Sequence, residues 1–354
     1  MDWLLHPDWQ TLERVIVYSF AWIWPMITVA LLVHWAVSTR LGFRRLAARP
    51  IRENYLQFPT VLVLFIAWFL LQLGLAEIAR ALLPGNMAAV YVAGAIAGLI
   101  AFFGAAWLSR WLFVRGRLGL GLAGRPVGRD ILIGIGCVLL VMPLVMAVKQ
   151  ASLWISQLLH IAPSEHPLLK VAQQSPDTLT AAILLGVAAL AAPLSEEILF
   201  RGILQSFLVR FFRLMMPPKG FPTMAVSPAP PEFQQIEAAE AVARSRSLGE
   251  QPPADLGALP GPESAGGQVA PLTGPQEARR AIAAIALTSL VFALIHLVVP
   301  TDMPALFVLA LAIGYVYEST GSLVSAIAMH ATFNAINMTL TLMGPHLLNP
   351  TQGH

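Results

Sequence analysis

Residues 58–78, FPTVLVLFIAWFLLQLGLAEI, run for a full membrane thickness with a single charged side chain, Glu77. A helix needs about 20 apolar residues to cross the hydrocarbon core of a bilayer. Eight stretches of the chain meet or approach this requirement, near 15–37, 58–78, 87–108, 131–149, 179–213, 279–299, 304–318 and 321–343. The fifth is overlong and the seventh short. The expected fold is an all-α, polytopic membrane helical bundle with about eight transmembrane segments. Composition agrees: 12% of the 354 residues are charged, where a soluble domain carries roughly twice that share. Mean hydropathy is +0.70.

The chain is basic, with a pI near 9.3, but its cations do not form the face or stripe that nucleic acid would need. They sit between apolar runs, as topology signals do. The connection 38–57 carries Arg40, Arg44, Arg45, Arg49 and Arg52, and the connection 109–130 carries Arg110, Arg115, Arg117, Arg125 and Arg129. Opposing connections hold only Arg80 (79–86) and Lys170 (150–178). Positive residues mark the cytoplasmic side, which places both termini outside. The lone Cys137 excludes an intrachain disulfide and a cysteine-based zinc site. The N-terminus lacks the basic start of a cleaved signal peptide, and the first apolar run reads as a retained span.

Three parts follow. Residues 1–130 are N-terminal helices with basic cytoplasmic loops. Residues 131–213 and 278–343 form a helical core. Residues 214–277 form a Pro-rich insert, expected to be a disordered cytoplasmic segment because it lacks the apolar residues that offset ordering entropy. Within it, PEFQQIEAAEAVARSR could form a short helix. In the connection 150–178, LWISQLL has the amphipathic spacing of a segment lying on the outer interface.

Ionisable groups at membrane depth cost a few kcal/mol and need a partner, a cavity or a function. Glu77 and Glu318 fall at span ends, where solvated or capped carboxylates are ordinary. Glu196, Glu197 and Arg201 do not: LSEEILFRG (194–202) interrupts the fifth apolar run. Glu197 and Arg201 are four residues apart, in the order that favours a helix-surface ion pair. Glu196 points about 100° away around the helix and is left to face a cavity. Phe292 and His296 in FALIH, and His330 and Asn334 in HATFN, are also spaced to share one helical face.

Three helices could therefore gather Glu196, His296, His330 and Asn334. A buried carboxylate beside imidazoles can activate water, and a second histidine with an asparagine can stabilise the oxyanion formed when water attacks an amide. Three other readings stand beside this one. The cluster could be a polar network that holds helices together in a non-catalytic scaffold or immunity protein. It could be a proton relay in a transporter, although the chain shows no internal repeat of the kind common there. Glu196, His296 and His330 also match the ligand count of a catalytic zinc site, yet HExxH is absent and no carboxylate is evident behind either histidine.

The stretches EEILFR (196–201), FALIH (292–296) and HATFN (330–334) resemble the CPBP family of intramembrane proteases. That family includes CAAX prenyl endopeptidases and bacteriocin-processing or immunity homologues, and its pattern is EExxxR, then FxxxH, then HxxxN. The resemblance covers roughly residues 130–343; the first three spans lie outside it, and the long insert departs from it. It implies a hydrolase in which Glu196 activates water, His296 helps position it, and His330 and Asn334 form the oxyanion hole. Glu197, Arg201 and Phe292 would support them. The family is often labelled metalloprotease, which leaves a divalent metal such as zinc open as cofactor. The expected partners are a membrane-associated peptide or protein and the lipid bilayer, with no nucleic acid. The expected location is a multi-pass position in a bacterial inner (cell) membrane. Cleavage is expected near the membrane–cytoplasm boundary.

Overall fold

A computed structural model describes residues 9–49, 52–160, 178–216, 274–297 and 299–348. Among them the only pairing of strand type is an isolated bridge between Asn54 and Phe113. The rest is helical: α1 (Trp9–Thr39), α2 (Phe43–Ala47), α3 (Phe58–Leu82), α4 (Met87–Leu112), α5 (Gly116–Leu120) and α6 (Val127–Leu158). Then come α7 (Thr178–Gly186), α8 (Ala192–Glu197), α9 (Ser206–Met215), α10 (Pro275–Ile295), α11 (Met303–Thr320) and α12 (Leu323–Leu348). These helices form the unit Met1–Leu214 with Gly274–His354; a second unit, Met215–Thr273, lies almost wholly outside the described residues. The readings of the insert as disordered, and of PEFQQIEAAEAVARSR as a helix, lie outside them too.

Among the described residues, seven helical segments are long and apolar enough to cross a bilayer, and α12 covers the eighth expected stretch. The protein is an integral, multi-pass membrane protein. The overlong fifth run is one continuous rod, α7 to α9, that changes hydrogen-bonding register twice. Val187–Ala191 and Ile198–Gln205 are π-helical, a form that recurs at functional sites. Only its periodicity, not its length, escaped the sequence. The second π segment is buried almost all round, Arg201 and Gln205 included, and Ile198, Phe200 and Ile203 are fully covered. A segment so enclosed stands at the centre of the bundle, with its Arg201 and Gln205 held by Glu197 and by the Ala310 and Gly314 carbonyls.

Two expectations change. LWISQLL is not a segment of its own: α6 continues through it without a break to Leu158, because no Gly or Pro interrupts the helix there. Glu318 is not an ordinary solvated end. It is buried, paired with Arg49 and, at 3.0 Å, with Arg52, and it accepts from the Gln205 amide at 3.1 Å. Burial holds the Arg49 pKa below its ordinary value, against the opposing pull of Glu318. Thus two loop arginines reach inward and tie the N-terminal helices to α11 and to the rod.

Close approaches set the heights of the helices. Gly134 on α6 lies against α12; a Cβ there would stand 2.6 Å from the Ser325 carbonyl and 2.8 Å from the Met329 nitrogen. That contact fixes α12 one residue before His330. Gly98 on α4 plays the same part for the rod, since a Cβ there would meet Ser195 Oγ at 2.9 Å.

Candidate active site

All four residues singled out for chemistry line one cavity of about 470 Å³. Glu196 comes from the end of α8, His296 from the C-terminal cap of α10, and His330 and Asn334 from successive turns of α12. Trp68, Gln72 and Ala76 of α3 and Tyr91 and Gly94 of α4 supply the facing wall.

The two adjacent glutamates occupy different environments, as their 100° separation requires. Glu197 is fully buried, with Oε2 at 3.1 Å from Arg201 Nε. Arg201 in turn donates to the Ala310 carbonyl at 3.3 Å and stands 4.8 Å over the Phe292 ring. Glu196 keeps 17% of its side chain exposed, into the cavity. Its carboxylate lies 3.8 Å from His330 Nε2.

Each imidazole is oriented by its other nitrogen. His296 Nδ1 donates to the Phe292 carbonyl at 2.8 Å; in the neutral ring Nε2 is then a lone-pair acceptor. His330 Nδ1 donates to Glu197 Oε1 at 2.7 Å. A carboxylate therefore does stand behind one histidine, contrary to the sequence reading. It was missed because Glu197 had been matched to Arg201 alone, whereas its second oxygen is free to face another helix. Glu197 thus bridges Arg201 and His330 and fixes the ring that faces Glu196.

Phe292 packs against both imidazoles, with ring centroids 4.7 Å from His296 and 5.7 Å from His330. Among the described residues, no group of three or more His, Cys, Asp and Glu side chains is placed to hold a metal ion. The Nδ1 bonds leave Nε2 as the nitrogen that each ring turns to other partners.

Sequence reasoning passed over several cavity residues: Gln72, Tyr91, Asp302 and Asn337. Asn337 carried a usable signal, being three residues beyond Asn334 and seven beyond His330, on the same helical face. Asp302 pairs with Lys149 at 3.4 Å, a contact between distant segments that no spacing reveals.

A family model described as "Type II CAAX prenyl endopeptidase Rce1-like" matches residues 267–336. That stretch holds α10, α11 and the first half of α12, and with them Phe292, His296, His330 and Asn334. The match covers 70 of the 354 residues and makes this part of the chain similar to that peptidase family. Glu196 lies outside the matched stretch, yet the rod brings it to the same cavity. No curated protein and no solved structure matches the chain.

Proposed function

We propose that the protease hydrolyses a peptide bond of a membrane-associated peptide or protein with a water activated by Glu196. The observation that carries this reading is a partly exposed carboxylate, Glu196, facing His330 and His296 in one cavity. The Glu196 carboxylate takes a proton from water, and the oxygen attacks the scissile carbonyl carbon. His296 Nε2, a lone-pair acceptor, holds the second proton of that water. The tetrahedral oxyanion receives hydrogen bonds from the Asn334 amide and from His330 Nε2, which must carry a proton for this role. Glu197 supports that form by accepting from Nδ1. The carbon–nitrogen bond then breaks, and Glu196 passes its proton to the leaving amine. The apolar wall from α3 and α4 excludes bulk water and strengthens each of these contacts.

Membranes from cells making the wild type and the Glu196→Ala variant test this directly, read as uncleaved peptides accumulating in the variant at equal expression. A fully active Glu196→Ala protein sinks the mechanism. The fully buried Arg201–Glu197–His330 chain also suits the alternative, a non-catalytic scaffold or immunity protein with a structural polar cluster. That reading requires Glu196→Gln to preserve function, since an amide can replace a hydrogen-bonded carboxylate.

A further inference from the structure

The connections 38–57 and 109–130 meet at one end of the bundle, its Arg-rich end. There the Tyr55 nitrogen donates to the Leu112 carbonyl at 2.8 Å, and the Val114 nitrogen to the Glu53 carbonyl at 3.2 Å. The arginines of this end are of two kinds. Arg49 and Arg52 turn inward to Glu318. Arg110, Arg115, Arg117, Arg125 and Arg129 are all exposed, and residues 109–129 contain no Asp or Glu. The ion pairs among the described residues involve other cations than these five.

A topology signal needs only the number of positive residues, and a loose loop would serve. The connection 109–130 is folded instead. Phe113 and Leu120 are buried beneath it, and the Tyr317 hydroxyl donates to the Leu120 carbonyl at 3.1 Å. The Leu323 nitrogen donates to the Gly121 carbonyl at 2.9 Å. The arginines therefore stand on a platform pinned to the turn from α11 into α12. Gly116 packs on the backbone of Arg110, where a Cβ would lie 3.5 Å from the Arg110 Cα. Arg115 and Arg117 thus flank Arg110.

The last turns of α4 lead up to this platform. Trp107 and Trp111 are exposed, with ring centroids 4.5 Å apart, and the Arg110 guanidinium lies 4.0 Å over each indole. Stacking uses the face of a guanidinium and leaves its N–H edge for a phosphate. It also holds the side chain in place before a ligand arrives. Ile96, Ile100 and Phe103 are exposed on the same side of α4 as the two indoles. Gly104 leaves that side open, since a Cβ there would touch nothing within 4 Å.

We propose that this surface binds an anionic phospholipid. Its phosphate would sit on Arg110 between Arg115 and Arg117, and an acyl chain would run past Trp107, Phe103 and Ile100. Clusters of arginine beside a membrane helix attract anionic headgroups, and the aromatic and aliphatic side of α4 supplies the apolar half of the site. Nucleic acid fits less well, because both indoles belong to a segment apolar enough to span the membrane. The proposal is independent of the reaction in the cavity.

The test uses the full chain purified in detergent and titrated with palmitoyl-oleoyl phosphatidylglycerol or the matching phosphatidylcholine. Native mass spectrometry counts the first bound lipid. The wild type is expected to bind phosphatidylglycerol more tightly. Arg110→Gln should weaken that binding about fivefold, the effect of one cation beside an anionic headgroup, and leave phosphatidylcholine unchanged. The double variant Trp107→Leu with Trp111→Leu keeps every arginine, and with them the topology signal, yet should also weaken phosphatidylglycerol. All three side chains are exposed, so thermal unfolding should stay at the wild-type value. Equal wild-type affinity for the two lipids, or unchanged phosphatidylglycerol affinity in both variants, overturns the proposal. Displacement of the lipid by an equal concentration of inorganic phosphate also overturns it, in favour of a free-anion site. Tighter binding of a single-stranded oligonucleotide than of phosphatidylglycerol overturns it in favour of nucleic acid.

Discussion

Glu196 and Glu318 are both carboxylates on membrane helices, and the bundle treats them in opposite ways. Glu318 is enclosed, with Arg49, Arg52 and Gln205 around it, and the Arg52 guanidinium also lies 3.8 Å over the Tyr317 ring. It ties three separately folded segments together at the Arg-rich end. Glu196 lies 3.8 Å from His330 and has an open side toward the cavity. A carboxylate whose oxygens are all engaged holds structure; one left facing a cavity can take a proton. Glu197 lies between the two cases, enclosed like Glu318 but bonded to the ring that serves Glu196.

The largest expected effect separates the two carboxylates by isosteric change. Glu196→Gln should lower the cleavage rate by roughly 10²–10⁴-fold, the usual contribution of a general base, with thermal unfolding in detergent near that of the wild type. Glu318→Gln should do the reverse: it leaves Arg49 and Arg52 buried beside a neutral amide, costing about 3–5 kcal/mol of stability, while the folded fraction keeps its specific activity. If both variants lose activity and keep stability, the contrast between the two sites collapses.

Glu197→Ala should combine the two phenotypes. It strands the buried Arg201, at a cost of about 3–5 kcal/mol, and it releases His330 from its orienting bond. Parallel unfolding and single-turnover measurements would show whether the activity loss exceeds the loss of folded protein. A smaller effect is expected from Gly134→Ala, whose new Cβ would press on Ser325, Ala328 and Met329. Overpacking of this kind costs about 1–3 kcal/mol, and any shift of α12 carries His330 with it, so catalysis should fall more than stability. The smallest belongs to Asp302→Asn, which breaks a partly exposed pair with Lys149. Such pairs contribute about 0–1 kcal/mol, and an unfolding shift well above this would mark Asp302 as part of the buried machinery.

Much of this was readable from the chain. Apolar run lengths determined the all-helical membrane fold, because a backbone in lipid has so few ways to satisfy its hydrogen bonds. Spacing alone put Glu197 with Arg201, Phe292 with His296 and His330 with Asn334, since i and i+4 share a face in any helix. It also set Glu196 apart from Glu197. Every one of these is a relation within a single helix, governed by the 3.6-residue turn.

What crosses between helices was left to the tertiary structure. The bond from His330 to Glu197 joins residues 133 positions apart, and the enclosure of Glu318 by Arg49 spans 269. No local period encodes either, because the height at which two rods meet is set by contacts such as those at Gly98 and Gly134. The same heights decide which side chains share the cavity. The charge pattern of the loops was visible from the beginning, but only the packed rod shows that Glu196 meets His330 at 3.8 Å.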